Sequence, residues 1–294
     1  MLTCTLYFQS AAVLGRTSNE FPACSNTQSL AVTLKPLNLK VCIWCRRTEQ
    51  ETNFIKLAHT IPQTLGGQNI CSNVCDICND FFGRHYQGSP SVELILKETF
   101  NISRMKLLHS QNEIGKNKAL AKFSSTYFNV DIKKHKIELK LTYKLQKSFQ
   151  EKLCRQLKKG IYKIFLEERE RQKGDAQDSR YDFIREFARY NLGDYPVFYF
   201  ERTKPLIVMP KTLAAKPDFF LDDGFRMNYL VNEPSFFEFE FFGHVFGIAT
   251  SRIWELAWDN YLKKTMEAKI GHFRIWRRIN NFNDIDLSLK ILDN

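Results

Sequence analysis

"LAHTIPQTLGG", Leu57 to Gly67, sets one of the chain's six histidines in an apolar run, with a proline three residues on and a glycine pair at the end. It lies between two closely spaced cysteine pairs, Cys42 with Cys45 and Cys75 with Cys78. Each CxxC turn presents two sulfurs to one ion, so four thiolates at this spacing suit a tetrahedral, structural Zn2+. So short a segment with few large apolar groups gains its folding energy largely from the metal. The plain alternative is a set of buried, unligated thiols. Cys71 is a nearby fifth sulfur and reads as a spectator, and Cys4, Cys24 and Cys154 carry no pattern.

Around this segment the 294-residue chain is 44% hydrophobic and 14% aromatic, ample for a packed core. Its net charge of +11 favours an anionic partner such as nucleic acid. That charge is uneven, about +1 over residues 1–100 and about +10 over the remainder, so a broad electrostatic footprint belongs to the later part. No apolar run reaches the roughly 18 residues a membrane helix needs. The opening residues lack a basic, apolar leader pattern, which makes a cytoplasmic location the expectation. Five of the eight cysteines fall between positions 42 and 78, which suits a local metal site better than a disulfide framework.

Composition shifts divide the chain into an arm or flanking strands over 1–40, a compact motif region over 41–90, and a basic α+β region over 91–294. In the last, "SVELILKETFNISRMKLLHS" (91–110) reads as one or two helices. "HKIELKLTYKL" (135–145) alternates as a strand, with Ile137, Leu139, Leu141 and Tyr143 on one face. Apolar residues at helical spacing mark 146–172, and a second amphipathic helix is expected over 179–193. "SFFEFEFFGHVFGIAT" (235–250) suggests a hairpin or one bent strand with one buried face, and 252–268 a helix.

Taken together, "CIWC … AHTIPQTLGG … SNVCDICNDFFG" resembles the zinc-stapled branch of the HNH endonuclease family, whose members read roughly CxxC, HxIPxxLGG, NVCxxCNxxFG. The resemblance covers residues 41–84 and implies a ββα-metal unit, giving an α+β chain in which a small zinc-bound nuclease domain precedes a larger mixed α+β domain. On that template "FIKLAHTIP" is the first strand, Thr64–Ser72 a long loop, "NVC" the second strand and "DICNDFFG" the helix. The glycines at 66 and 67 give the loop its turn, and Pro62 ends the ladder.

The resemblance also implies roles. Phosphodiester hydrolysis needs a base for water, and a neutral imidazole can take its proton near neutral pH. His59 matches the family's general base. Asn79, directly after Cys78, matches the ligand of a catalytic divalent ion, Mg2+ or Mn2+, which neutralises the phosphate and the departing oxygen. Asn73 is similar to the middle asparagine that pins the loop and orients the histidine backbone, with Asn69 as its alternative. Many members carry an acid just before the histidine, where this chain has Ala58. Asp80 and His85 are the nearest groups that can complete the ion's shell, since substrate phosphate and water fill several positions around Mg2+.

Arg84, after the motif helix, can contact the scissile phosphate or stand solvated. Lys158 and Lys159 on the basic helix can track phosphates without reading sequence, or form a solvated face. His109, His135, His244 and His272 read as structural. Asp218, Glu238 and Glu240 lack the lysine that a restriction-type acidic centre requires. Three functions compete. The first is an endonuclease on double-stranded DNA, serving restriction or anti-phage defence. The second is a zinc-stapled nucleic-acid binder that has lost catalysis. The third is a nuclease effector silent until a protein partner or ligand engages the C-terminal domain.

Overall fold

A computed structural model describes residues 39–85, 88–110, 124–131, 136–201, 218–219, 235–267, 275–287 and 289. The expected arm over 1–38, His135 and His272 lie outside the described residues, as does the side chain of His109. Residues 39–294 gather into one unit, separate from residues 1–38.

The cysteine segment folds as β1 (Ala58–His59), a 3-10 turn (Gln63–Leu65), β2 (Ile70–Cys71) and α1 (Asp76–Gly83). The antiparallel register sets Ala58 opposite Cys71 and His59 opposite Ile70. The hairpin is shorter than expected, and its second strand precedes the "NVC" segment proposed for it. Asn73 has left the ladder because its carbonyl accepts from the Ile43 N–H of the first knuckle at 2.8 Å. The glycine pair explains the tight closure. Gly66 holds φ 87° as the cap of the 3-10 turn, a left-handed conformation that glycine adopts without strain. At Gly67 an added Cβ would lie 2.0 Å from the Ile61 carbonyl oxygen, so only hydrogen fits.

Beyond this unit come α2 (Val92–Ser110), the hairpin β3 (Phe128–Asp131) and β4 (Lys136–Leu139), α3 (Leu141–Lys144), α4 (Lys147–Lys173), α5 (Asp182–Ala188) and β5 (Val197–Glu201). β6 (Asp218–Phe219), β7 (Phe236–Phe241), β8 (His244–Ala249), α6 (Trp254–Glu267) and β9 (Ile275–Arg278) follow. Strands β5 to β9 form one antiparallel sheet in the order β6-β7-β8-β5-β9. The chain is thus mixed α+β, as its patterns indicated.

Two local expectations change, and a third is narrowed to one of its alternatives. The strand over 135–145 stops at Leu139 and turns into α3. There Tyr143 leaves the strand face to stack on Phe149 at 4.8 Å and meet Tyr127 at 5.2 Å. The helix expected over 179–193 ends at Ala188. Asn191 takes φ 64°, and Arg155 captures the carbonyls of Asn191 and Gly193 at 3.1 and 2.6 Å. The segment 235–250 is a hairpin, turning through Phe242 and Gly243 at φ 46° and 80°, the primed geometry that suits strand twist.

This hairpin is buried on both faces rather than one. Phe237, Phe241, Phe246 and Ile248 face the main core, while Phe236, Val245 and Ala249 pack with Trp258 and Tyr261 of α6. Glu238 lies on the α6 side, where the Tyr261 hydroxyl donates to it. His244, which reads as structural, is fully buried between Ser103 and Tyr199.

Helix α4 is the spine. Every residue from Leu153 to Glu168 is buried except Arg155. At Gly160 a Cβ would meet Leu96 of α2 at 2.6 Å, so the two helices touch backbone to side chain. The two lysines expected on a solvated or phosphate-tracking face are interior: Lys158 is 5% exposed and Lys159 4%.

Candidate active site and zinc centre

The four knuckle sulfurs all lie within 4.8 Å of one another. Tetrahedral zinc–thiolate geometry, with bonds near 2.3 Å, sets sulfurs about 3.8 Å apart, and Cys45 and Cys75 already stand at 3.6 Å. Arg46 takes φ 61° to close the first knuckle. The Cys75 N–H donates to Cys42 Sγ at 3.4 Å and the Arg189 guanidinium to Cys78 Sγ at 3.3 Å, the usual support for thiolate. Hydrogen bonds from Cys42, then Cys78, hold the Cys45 thiol well below its usual range. Four thiols converging on one point are a donor set suited to a divalent ion. Cys71 is outside the cluster, and burial pushes its thiol up.

His59 sits on β1, half-exposed. Its Nδ1 lies 3.2 Å from the Leu57 carbonyl oxygen. A carbonyl only accepts, so Nδ1 donates in this contact, which leaves Nε2 as the ring nitrogen that can take up a proton when the imidazole is neutral.

What positions this strand is α4. Lys163, fully buried, donates to the His59 carbonyl at 2.9 Å and to Glu167 at 2.7 Å. Glu167 also accepts from the indole N–H of Trp44 at 3.0 Å, inside the first CxxC. Burial, working against Lys163, pushes the Glu167 carboxyl up to about 7. Glu168 accepts from Thr60, the residue after the histidine, at 2.5 Å and from Asn69 at 3.0 Å. Burial raises this carboxyl, but bonds from Arg171, Thr60, Asn69 and Gln172 outweigh it and hold Glu168 below the usual range. Glu170 accepts from Asn73 at 2.5 Å. From α5, the buried Arg185 donates to the Ile43 carbonyl at 2.6 Å. Trp44, the histidine strand, Asn69 and Asn73 are therefore tied to α4, and Ile43 to α5.

Residues 42–91 match the family model of the HNH endonucleases. No curated protein and no solved structure matches the chain. The HNH domain implies a nuclease acting on nucleic acid, and the cysteine cluster fits its zinc. No helix among the described residues is long and apolar enough to cross a membrane.

Within the HNH domain the expected site residues separate. Asn79 is half-buried on α1, directly after Cys78. Asn73 does not bond to His59 among the described residues; it joins the first knuckle to Glu170. Asn69 is the asparagine next to the histidine strand, its carbonyl accepting from the Thr60 N–H at 3.0 Å. Asp80 is occupied: Lys56 reaches it at 2.6 Å and Arg84 at 2.8 Å. His85 is exposed beyond the helix end. Besides the cysteines, no three His, Cys, Asp or Glu side chains converge among the described residues. The donors present do not by themselves make a closed site for a second ion.

The nucleic-acid contacts proposed from sequence also shift. Lys158 is bound to Asp194 at 2.6 Å, and Lys159 faces a cleft rather than open solvent. The sequence reading missed Lys163, Glu167, Glu168 and Glu170, whose run of charge on a helix resembles a solvated face. The available signal was Lys163 and Glu167 at i,i+4 beside Ile164 and Phe165, apolar neighbours on both sides.

Proposed function

We propose that this chain is an HNH endonuclease that hydrolyses phosphodiester bonds of double-stranded DNA, with His59 as general base. The observation that carries the reading is the His59 ring, held by Leu57 with Nε2 free, on a strand fixed through its own carbonyl by Lys163. In this reading Nε2 takes a proton from water as the water oxygen bonds to phosphorus. The bond from phosphorus to the 3′-oxygen breaks, and that oxygen takes a proton from solvent, leaving 5′-phosphate and 3′-hydroxyl ends. Asn79 on α1 would hold the divalent ion through its amide oxygen. Mg2+ or Mn2+ neutralises charge on the phosphate when bound. The ion would need substrate phosphate and water to complete its shell, since the described residues offer few ligands for it. Asp80 becomes available to it only when the pairs with Lys56 and Arg84 open, and His85 is the outlying alternative.

Residues 91–294 then serve as the accessory part that selects substrate or partner, and restriction or anti-phage defence in the cytoplasm is the proposed setting. The Asp80 ion pairs favour one further reading, a nuclease silent until a ligand or protein partner rearranges the α1 surface. Ala58, in place of an acid, is the feature that a catalytically inactive binder would share.

The test is nicking of supercoiled plasmid by the zinc-loaded protein with Mg2+ or Mn2+, beside His59→Ala and a structured RNA. Metal-dependent nicking by wild type that His59→Ala abolishes supports the proposal. Equal nicking by both proteins, or preference for RNA, overturns it.

A further inference from the structure

A cleft of about 680 Å3 opens between the C-terminal end of α1, the first half of α4 and the segment after α5. Five of its lining residues are cations: Arg84, Lys152, Arg155, Lys159 and Arg189. Among the described residues no aspartate or glutamate lines it. Counter-charges nearby are already shared. Asp80 serves both Lys56 and Arg84, Asp194 serves both Lys158 and Arg155, and Arg189 leans on the Cys78 sulfur.

Lys159 is the decisive member. It is 4% exposed, lines the cleft, and makes no hydrogen bond or ion pair among the described residues. Burial, then the neighbouring Arg155, draws its ammonium down to about 8. Asp194 is bonded to Arg155 and Lys158, so Lys159 faces the cleft with no acid of its own, an arrangement that an anion in the cleft relieves. The rim is aromatic as well. The Arg189 guanidinium lies 4.3 Å from the Phe81 ring centre and 5.3 Å from that of Tyr190. Flat cationic and aromatic surfaces of this kind take a base beside a phosphate.

We propose that this cleft is a binding site for a phosphomonoester, with the phosphate on Lys159 and Arg155 and the attached nucleoside against Phe81, Arg189 and Tyr190. The same chemistry belongs to a free nucleotide and to the 5′-phosphorylated end of a strand. His59 does not line the cleft, and binding there does not depend on cleavage. Its volume falls within the roughly 300–1,000 Å3 of small-molecule pockets.

The experiment is calorimetric titration of the full, zinc-loaded chain with inorganic phosphate, adenosine 5′-monophosphate, adenosine, and one oligonucleotide with and without a 5′-phosphate. Titration of Lys159→Met, Lys152→Ser and Lys173→Ser with the tightest of these completes it. The monophosphate is expected to bind and adenosine not. Lys159→Met weakens binding about tenfold or more and the exposed Lys152→Ser by about threefold, in line with loss of charge-assisted bonds. Lys173→Ser, at the far end of α4, changes nothing. Preference for the free nucleotide, or for the phosphorylated oligonucleotide, names the source and supports the site either way. Adenosine binding as well as its monophosphate, indifference to the 5′-phosphate, or unchanged binding in both Lys159→Met and Lys152→Ser overturns it.

Discussion

Replacing Lys163 by methionine isolates what the spine does for the histidine strand. The ammonium is fully buried, 2.7 Å from Glu167 and 2.9 Å from the His59 carbonyl. Two effects follow, and pH separates them. The first is a buried carbonyl left without its donor, worth about 1–3 kcal/mol at any pH. The second concerns Glu167, whose carboxyl is already pushed up to about 7 by burial. Removing Lys163 takes away the attraction that holds it there, and its folded pKa rises further.

The sign is fixed by linkage. An acid whose folded pKa is raised binds more protons folded than unfolded between the two pKa values, so stability falls as pH climbs through that window. In wild type that fall ends near pH 7. In Lys163→Met it continues upward, at about 1.4 kcal/mol per pH unit. The variant therefore starts about 2 kcal/mol below wild type near neutral pH. By about pH 8.5 it has lost about 2 kcal/mol more.

Urea unfolding followed by tryptophan fluorescence, in zinc-containing buffer from about pH 6 to about pH 9, measures the difference. For a chain of this size 1 kcal/mol corresponds to roughly 2–4 °C in Tm, so a thermal scan resolves it too. Lys163→Met/Glu167→Leu removes the titrating group and is expected to lose stability by a pH-independent amount. A single-variant deficit that stays flat above neutrality, or a double variant with the same slope, refutes the argument.

Other outcomes follow from the same contacts. The purified chain is expected to carry one zinc per molecule, released by a chelator with loss of protease resistance in residues 42–91; a metal-free chain of equal resistance contradicts the zinc centre. Glu168→Ala removes the acceptor of Thr60 and Asn69 and is expected to lose about 2–3 kcal/mol in urea melts together with nicking activity. Gly67→Ala forces the Ile61 carbonyl aside and is expected to lower stability by about 3 kcal/mol or more, measured the same way. Lys159→Met should be more stable than wild type below pH 8, since the buried ammonium is disfavoured there, with the gain fading toward the unfolded lysine pKa near 10.4.

The parts of the fold legible in sequence were those whose physics is local. The knuckles follow from CxxC spacing, α1 from its position after Cys75, the β7–β8 hairpin from alternating Phe and Glu, and α4 from its 3.6-residue periodicity. The glycine pair was legible as a turn, but not as a place where Gly67 touches Ile61 backbone to backbone. What escaped was long-range. Nothing within "LEERERQ" says that three of its glutamates meet donors about a hundred residues earlier in the chain. A glutamate in solvent and one buried against Trp44 or Thr60 have the same local pattern.

That difference explains why the candidate site was only half readable. Motif matching singled out His59 and Asn79 by their neighbours in sequence. For the asparagine beside the histidine strand it put Asn73 first and Asn69 second; Asn69 stands there with Thr60, both leading to Glu168. The small hairpin has two residues in each strand and cannot define its own geometry. Zinc, which the cysteine cluster fits, would fix the knuckles at its far side, and Lys163 and Glu168 fix the strand at its near side. The placement of the histidine strand thus draws on a helix outside the matched segment as well as on the cysteine cluster within it. Residues 42–91 alone, even loaded with zinc, would keep the contact of the ring with Leu57 but leave the His59 carbonyl and the Thr60 hydroxyl to water, so the strand that carries the ring would lose its anchor.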